Sequence, residues 1–201
     1  MNKKTIHPKT IVNIMRGLAV IAGAALVAGA VWMIARELRK EAERQTAETV
    51  VSAMEAILPE RTTGVPEPHY SGSMPSASIG GENFVGLLEI PAYRIKLPVG
   101  AVWEADDIGR FPRVYRGDIY DNSLMIGGSA AQIHCYRDID IGAPVYFTDL
   151  YGQVYAYEVS MVNHVSKETS VVSKGEALTL FVKAGFPSQF TVIRMRIKDG
   201  A

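Results

Sequence analysis

The chain has 201 residues, 21 basic and 21 acidic side chains, and a single cysteine. That balance supplies no basic field for nucleic acid, and from Phe84 onward the count is 12 basic to 13 acidic, so the exclusion holds there too. One thiol makes no internal disulfide and no multi-thiolate metal site, and the length suits one modest globular domain with appendages.

Residues 1–16 precede Gly17–Ala35, a run of 19 residues without a charge. At about 1.5 Å per residue a helix of this length spans roughly 28 Å, close to the hydrocarbon core of a bilayer. The run therefore reads as a transmembrane helix, residues 17–35, with 1–16 as a cytoplasmic segment and Trp32 at an interface. Lys3, Lys4, Lys9 and Arg16 lie before it and Arg36, Arg39, Lys40 and Arg44 after it, so the charge bias does not set its orientation. A cleaved signal peptide is the rival reading, given Ala28-Gly29-Ala30. The anchor is favoured because the apolar run exceeds a signal core of about 7–15 residues.

Residues 36–58 continue with strong helix formers and no Gly or Pro, and place Ala47, Val50, Val51, Met54, Ile57 and Leu58 on one face. This is a juxtamembrane helical stalk whose apolar face meets its own domain, lipid headgroups or a partner. It is too short to establish a coiled coil. Pro59 ends it. From 59 to 83 the composition turns to Pro, Gly, Ser and Thr, with Pro59, Pro66, Pro68 and Pro75, and periodicity is lost, as in a flexible linker.

The β-type domain spans 84–201. Leu88-Glu89-Ile90-Pro91 and Leu97-Pro98-Val99 give short strands punctuated by prolines. Ser123 to Ile126 is a short apolar strand ending in Gly127-Gly128. Val145 to Thr148, Gln153 to Met161 and Glu176 to Val182 alternate as strands, with Tyr151-Gly152 as the hairpin turn between the first two. Leu178 to Val182 and Thr191 to Ile197 are rich in β-branched and aromatic residues and are joined by a turn containing Gly185 and Pro187. In the last run Ile193, Met195 and Ile197 alternate with Val192, Arg194 and Arg196, so both arginines share a face opposite the apolar residues.

These segments together resemble a sortase, one of the membrane-anchored cysteine transpeptidases of Gram-positive bacteria. Thr179-Leu180-Phe181-Val182-Lys183 is similar to the sortase motif T-L-x-T-C, and Arg194 follows at the distance of the catalytic arginine. Leu88-x-Ile90-Pro91 with Pro98-Val99 is similar to the family's L-x-I-P and P-V pair. Ile126 and Gly128, preceded by Asn122, are similar to the segment that ends in the catalytic histidine, and Tyr136 to Gly142 to a shortened F-x-x-L…G-D segment with Ala143 for the aspartate. The resemblance covers Leu88 to Lys198. It implies a mostly β fold, a sortase-like closed barrel of about seven or eight strands, behind one transmembrane helix and a helical stalk. It also puts Lys183 at the cysteine position, Ser129 at the histidine position and Arg194 at the retained arginine position.

Sortase chemistry needs a thiolate to attack a peptide carbonyl, an acid for the departing amine and a cation for the developing oxyanion. A lysine amine attacking a peptide would leave a stable amide with no easy exit, and a serine is no general acid near neutral pH. The expectation is a catalytically degenerate, single-pass cell-membrane protein with its C-terminal domain extracytoplasmic. It would bind a sorting-signal peptide, a cell-wall precursor or a surface-assembly partner, with Arg194 receiving a carbonyl or carboxylate. An active transpeptidase with a rearranged site built on Cys135, and a purely structural spacer domain, are the alternatives. His134 and Cys135 are adjacent in extended chain and point to opposite sides, which argues against a dyad. His69 and His164 read as loop or surface residues; no ligand spacing implies a metal, and nothing implies a cofactor.

Overall fold

The computed structural model describes residues 8–63, 73–103, 110–166, 176–184 and 189–198. The chain forms two compact units, Met1–Arg44 and Gln45–Ala201. Helix α1 runs Pro8–Ile57. From Ile21 it is long and apolar enough to cross a membrane. In the first unit Leu26, Val31, Trp32 and Leu38 lie exposed on it, and the Arg36 guanidinium stands over the Trp32 ring.

The second unit is a closed eight-strand barrel with two short strands appended. The staves are β3 (Glu82–Ile90), β4 (Ile95–Gly100), β5 (Arg113–Arg116), β6 (Leu124–Ser129), β7 (Pro144–Asp149), β8 (Gln153–Val165), β9 (Leu178–Ala184) and β10 (Gln189–Ile197). They pair in the order β8-β10-β9-β6-β5-β4-β3-β7, and β7 returns to β8 to close the ring. Pairs β4/β5 and β6/β9 are parallel; the others around the ring are antiparallel. Outside the ring, β1 (Thr62–Thr63) adds in parallel to β8, and β2 (Ala77–Ile79) pairs with β3. Closure leaves the eight staves without a full-length open edge.

Alternation sets the interior. Leu178, Leu180 and Val182 of β9, Ile193 and Met195 of β10, Leu124 and Ile126 of β6, and Tyr155, Tyr157 and Val159 of β8 all enter one core. The hairpin between β7 and β8 turns at Tyr151-Gly152, where Gly152 takes φ +79, a conformation that costs glycine nothing. Asp149 holds this turn: its Oδ1 accepts from the backbone N–H groups of Tyr151 and Gln153, each at 2.9 Å.

The end of α1 belongs to the barrel unit. Ala47, Val50 and Met54 are buried against Phe84, Leu87 and Phe111, with Val51 and Leu58 packed at the margin. Phe84 and Phe111 meet edge to face at 5.0 Å. Ile57, expected on the same face, is instead exposed. In the last turn of the helix Glu55 pairs with Lys96, and beyond it Arg61 reaches Glu89 at 2.6 Å. Lys96 holds the Glu55 carboxyl below the usual carboxylate range. Where composition predicts a flexible linker over 59–83, the described parts are fixed to the barrel: Thr62–Thr63 as β1, Ala77–Ile79 as β2, and the Met74 N–H on Asp118 Oδ2 at 3.0 Å. Composition registers the Pro and Gly content but not these long-range pairings.

Candidate functional site

The parallel pair β6/β9 sets Met125 opposite Thr179, Gly127 opposite Phe181 and Ser129 opposite Lys183. Residues of the other phase on both strands fill the barrel core, so these six share the outer face. On β10 the outer phase brings Phe190, Val192 and Arg194 to the same side, with Phe190 opposite Lys183 and Arg194 opposite Thr179. Ser129 and Lys183 are therefore direct cross-strand neighbours. Arg194 shares their face but sits four residues further along β9, about 13 Å at ~3.3 Å per residue.

Each of the three has a distinct setting. Ser129 ends β6 in a tight turn: its N–H donates to Gln132 Oε1 at 2.9 Å, and its carbonyl accepts from the N–H groups of Gln132 and Ile133, each at 3.1 Å. Its Oγ is buried with no hydrogen-bond partner among the described residues. Lys183 is exposed, and its carbonyl receives the Ala130 N–H at 3.2 Å, tying the two strand ends together. Arg194 is half-buried. Its Nε is buried without a partner among the described residues, where its Nη1 meets the Met161 sulfur at 3.5 Å. A register shift on the β8 side between Arg194 and Met195 lets the Ser160 hydroxyl donate to the Arg194 carbonyl at 3.0 Å. Arg196, of the same phase, is committed to Glu158, with its Nε 2.6 Å from the carboxylate.

An aromatic patch covers the face beside these groups. Phe181 lies 5.3 Å from Trp103 and 5.1 Å from Tyr115, and Trp103 stands 5.3 Å from Tyr115. Phe190 closes the cluster at 6.2 Å from Phe181. Gly127 is the seat for the indole: a Cβ there would come 2.1 Å from a Trp103 ring carbon and 2.5 Å from Phe181 Cζ. Trp103 and Tyr115 come from the other side of β6, on the β4–β5 connection and on β5, and sequence reasoning missed both. The phase of Phe181 against Leu180 and Val182 was the available signal that β9 carries an aromatic on its outer face.

Cys135 lies elsewhere, 4% exposed in the barrel core, and burial pushes its thiol up. His134 beside it is exposed, so the two neighbours face opposite ways. His164 places Nδ1 at 3.0 Å from Thr191 Oγ1. His69, Gly185 and Pro187 lie outside the described residues. Among the described residues no group of three or more His, Cys, Asp or Glu is arranged to hold a metal ion.

Comparison of this mostly antiparallel, closed eight-strand barrel with solved structures returns sortases. Sortase A of Corynebacterium diphtheriae, a lid mutant, matches with TM-score 0.50 at 17% identity, covering 60% of this chain and 73% of that one. Sortase A of Listeria monocytogenes matches with TM-score 0.49 at 18% identity, over 58% of this chain and 88% of that one. Sortase C of Clostridium perfringens, solved with the C-terminal cell wall sorting motif, matches with TM-score 0.48 at 18% identity, over 58% and 71%. Neither a family model nor a curated protein matches the chain. The barrel unit has the sortase fold, carried behind an apolar helix long enough to span a bilayer.

Proposed function

We propose that this chain is a membrane-anchored protein of sortase fold that has lost transpeptidase chemistry and acts by binding a peptide segment, presented by a surface-assembly or cell-wall partner, on the face bearing Arg194. The observation that carries the reading is the in-register pair Ser129–Lys183, on an outer face without a thiol or imidazole among its described residues. Placed by resemblance at the histidine and cysteine positions, this pair supplies neither a thiolate nor an acid for a leaving amine. The single cysteine is shut in the core with its thiol held protonated by burial, which removes it from the attack. The half-buried Arg194 has no carboxylate partner among the described residues, and its guanidinium is the group on this face suited to a carbonyl or carboxylate.

The test is incubation of the full chain, in detergent, with a panel of sorting-signal peptides and an amine acceptor, read by mass spectrometry. No hydrolysis or transfer is expected from the unmodified chain, from Lys183→Cys or from Ser129→His. Catalytic groups that act as a unit do not rescue singly, so the double change, which returns thiol and imidazole to neighbouring strands, is where hydrolysis is expected to appear. Turnover by the unmodified chain, abolished by Lys183→Ala or Cys135→Ala, would falsify the binding reading. We place the barrel outside the cytoplasm: protease added to intact protoplasts trims it, and full protection while a known external protein is digested reverses the orientation.

A further inference from the structure

We infer that Trp103 is a movable cover: seated on Gly127 it closes the face shared by Ser129, Lys183 and Arg194, and access to that face requires the indole to leave. This rests on the binding reading above and names what regulates it. Met125, Phe181, Phe190 and Val192 have the outer phase of their strands, where alternation leaves side chains in water unless something covers them. All four are buried, Phe181 and Val192 completely, with Trp103, Tyr115 and Val165 packed against them. The barrel thus carries a second, small core outside its wall. In the β6/β9 register Gly127–Phe181 is the pair between Ser129–Lys183 and Met125–Thr179, and Thr179 faces Arg194 on β10. An indole lying on Gly127 and Phe181 therefore occupies the middle of the face.

Of the three covering side chains, Trp103 is the one that can move alone. Tyr115 belongs to β5, which is paired with β6, and Val165 belongs to β8, where it is paired with Phe190. Trp103 lies on no strand. The Ala101 N–H donates to the Asn83 carbonyl at 2.8 Å, the next residue, Val102, is 60% exposed, and Trp103 follows it half-buried. Among the described residues the Trp103 side chain is held by ring contacts, to Tyr115 and to Phe181, and by no hydrogen bond, so a rotation at Val102 frees the indole without orphaning a donor or an acceptor. The seat itself depends on the bare Gly127 backbone, since a Cβ there would stand 2.1 Å from a Trp103 ring carbon. Wetting of the four apolar side chains opposes the movement and keeps the closed state dominant. A ligand that needs the open state then binds with an affinity reduced by the open fraction.

The experiment uses the full chain in detergent micelles with Trp32→Phe, which leaves Trp103 as its one tryptophan, and with 5-fluorotryptophan incorporated. Fluorine relaxation dispersion is expected to detect a minor state of Trp103, of order 1–10% of the population, at the shift of an exposed indole. Gly127→Ala puts a methyl group in the seat and is expected to move the main resonance to that shift, with a rise in acrylamide quenching of the indole. A random pool of N-acetylated hexapeptides, followed by equilibrium dialysis and mass spectrometry, is expected to be retained about tenfold or more over the parent, by the inverse of the open fraction. Absence of dispersion overturns a movable cover, whatever the variant retains. Equal retention by parent and variant also overturns it and leaves the binding reading standing, whereas retention by neither overturns both. Melting curves verify folding, and where Gly127→Ala does not fold, Trp103→Ala, which removes the cover without a clash, carries the retention comparison.

Discussion

The barrel treats two charged side chains, Asp149 and Arg194, in opposite ways. Asp149 is fully buried, and every approach to its carboxylate is filled: two backbone N–H groups on Oδ1, and the Tyr120 and Tyr155 hydroxyls on Oδ2, each at 3.3 Å. Arg194 is half-buried with one orphaned nitrogen and one sulfur contact. A buried charge that closes a hairpin has to be saturated by the fold, because nothing outside can reach it. A charge on an outer face can stand open where an outside group completes it. Lack of a partner alone does not mark a site, since the Thr148 and Tyr157 hydroxyls are also unpaired. Those two are neutral and shut away, at 0% and 1% exposure; Arg194 is charged and only half-buried as a residue, although its Nε is as shut away as they are.

The contrast breaks most visibly at Asp149. Replacing it with alanine strips the acceptor from two backbone N–H groups, the buried Tyr155 hydroxyl and the half-buried Tyr120 hydroxyl, and an unsatisfied buried donor costs about 1–3 kcal/mol. Asp149→Ala is expected to lower stability by about 3 kcal/mol or more, read as a shift of the urea midpoint at unchanged slope. A loss under about 1 kcal/mol would mean that the network is not what secures the turn.

Met54→Ala provides an apolar scale for that number. Met54 is fully buried where the end of α1 meets Phe84 and Leu87, and emptying such a position costs about 2–5 kcal/mol. We expect a value near the low end, about 2 kcal/mol, because a helix end can settle into the gap. An unchanged midpoint would detach Gln45–Ile57 from the barrel unit.

The saturated region also sets the alkaline limit. Burial, then the Asp149 charge, raises the Tyr120 and Tyr155 hydroxyls; burial alone raises Tyr157, and burial also raises Cys135. An acid whose folded pKa is raised keeps its proton longer in the native state, so the unfolded chain releases it first as pH rises. The contribution of these four groups is therefore constant below about pH 8, begins to fall above the unfolded thiol near 8.5, and falls faster above the unfolded tyrosines near 10. Melting temperatures across pH 7 to 11 check this, and Cys135→Ala should remove the early part of the decline. Iodoacetamide labelling that proceeds readily at pH 7 would contradict the buried thiol.

Much of this was readable in the residues because alternation is a local property. The phases of Leu178, Leu180 and Val182, and of Ile193 against Arg194, sort inner from outer face without knowledge of partners, and the strands of the C-terminal half follow from them. The resemblance supplied closure of the barrel and pointed to Ser129, Lys183 and Arg194. Long-range juxtaposition was not readable. No local signal announces that Trp103 seats on Gly127, that Thr62–Thr63 and Ala77–Ile79 pair with β8 and β3, or that register sets Arg194 opposite Thr179 rather than Lys183. Each is fixed by pairing between segments distant in sequence, which single-chain periodicity does not encode.

The smallest expected effect is the one that bears most directly on the contrast. If Arg194 and Ser129 are open because the fold does not use them, removing their polar groups should scarcely change stability in the absence of a ligand. Ser129→Ala deletes a buried hydroxyl that makes no bond, and Arg194→Gln deletes a cation whose Nε is already unsatisfied, so neither leaves a new orphan behind. The lost aliphatic contacts of the arginine stem offset part of the gain from removing its desolvated nitrogen. Both variants are expected within about 0.5 kcal/mol of the parent, Ser129→Ala on the stabilising side, against a loss several times larger for Asp149→Ala. Parallel urea titrations of the three variants decide it. A loss of about 2 kcal/mol in Arg194→Gln would show that the guanidinium holds the β8–β10 junction together, and its open donors would then need an acceptor within the fold rather than one arriving from outside.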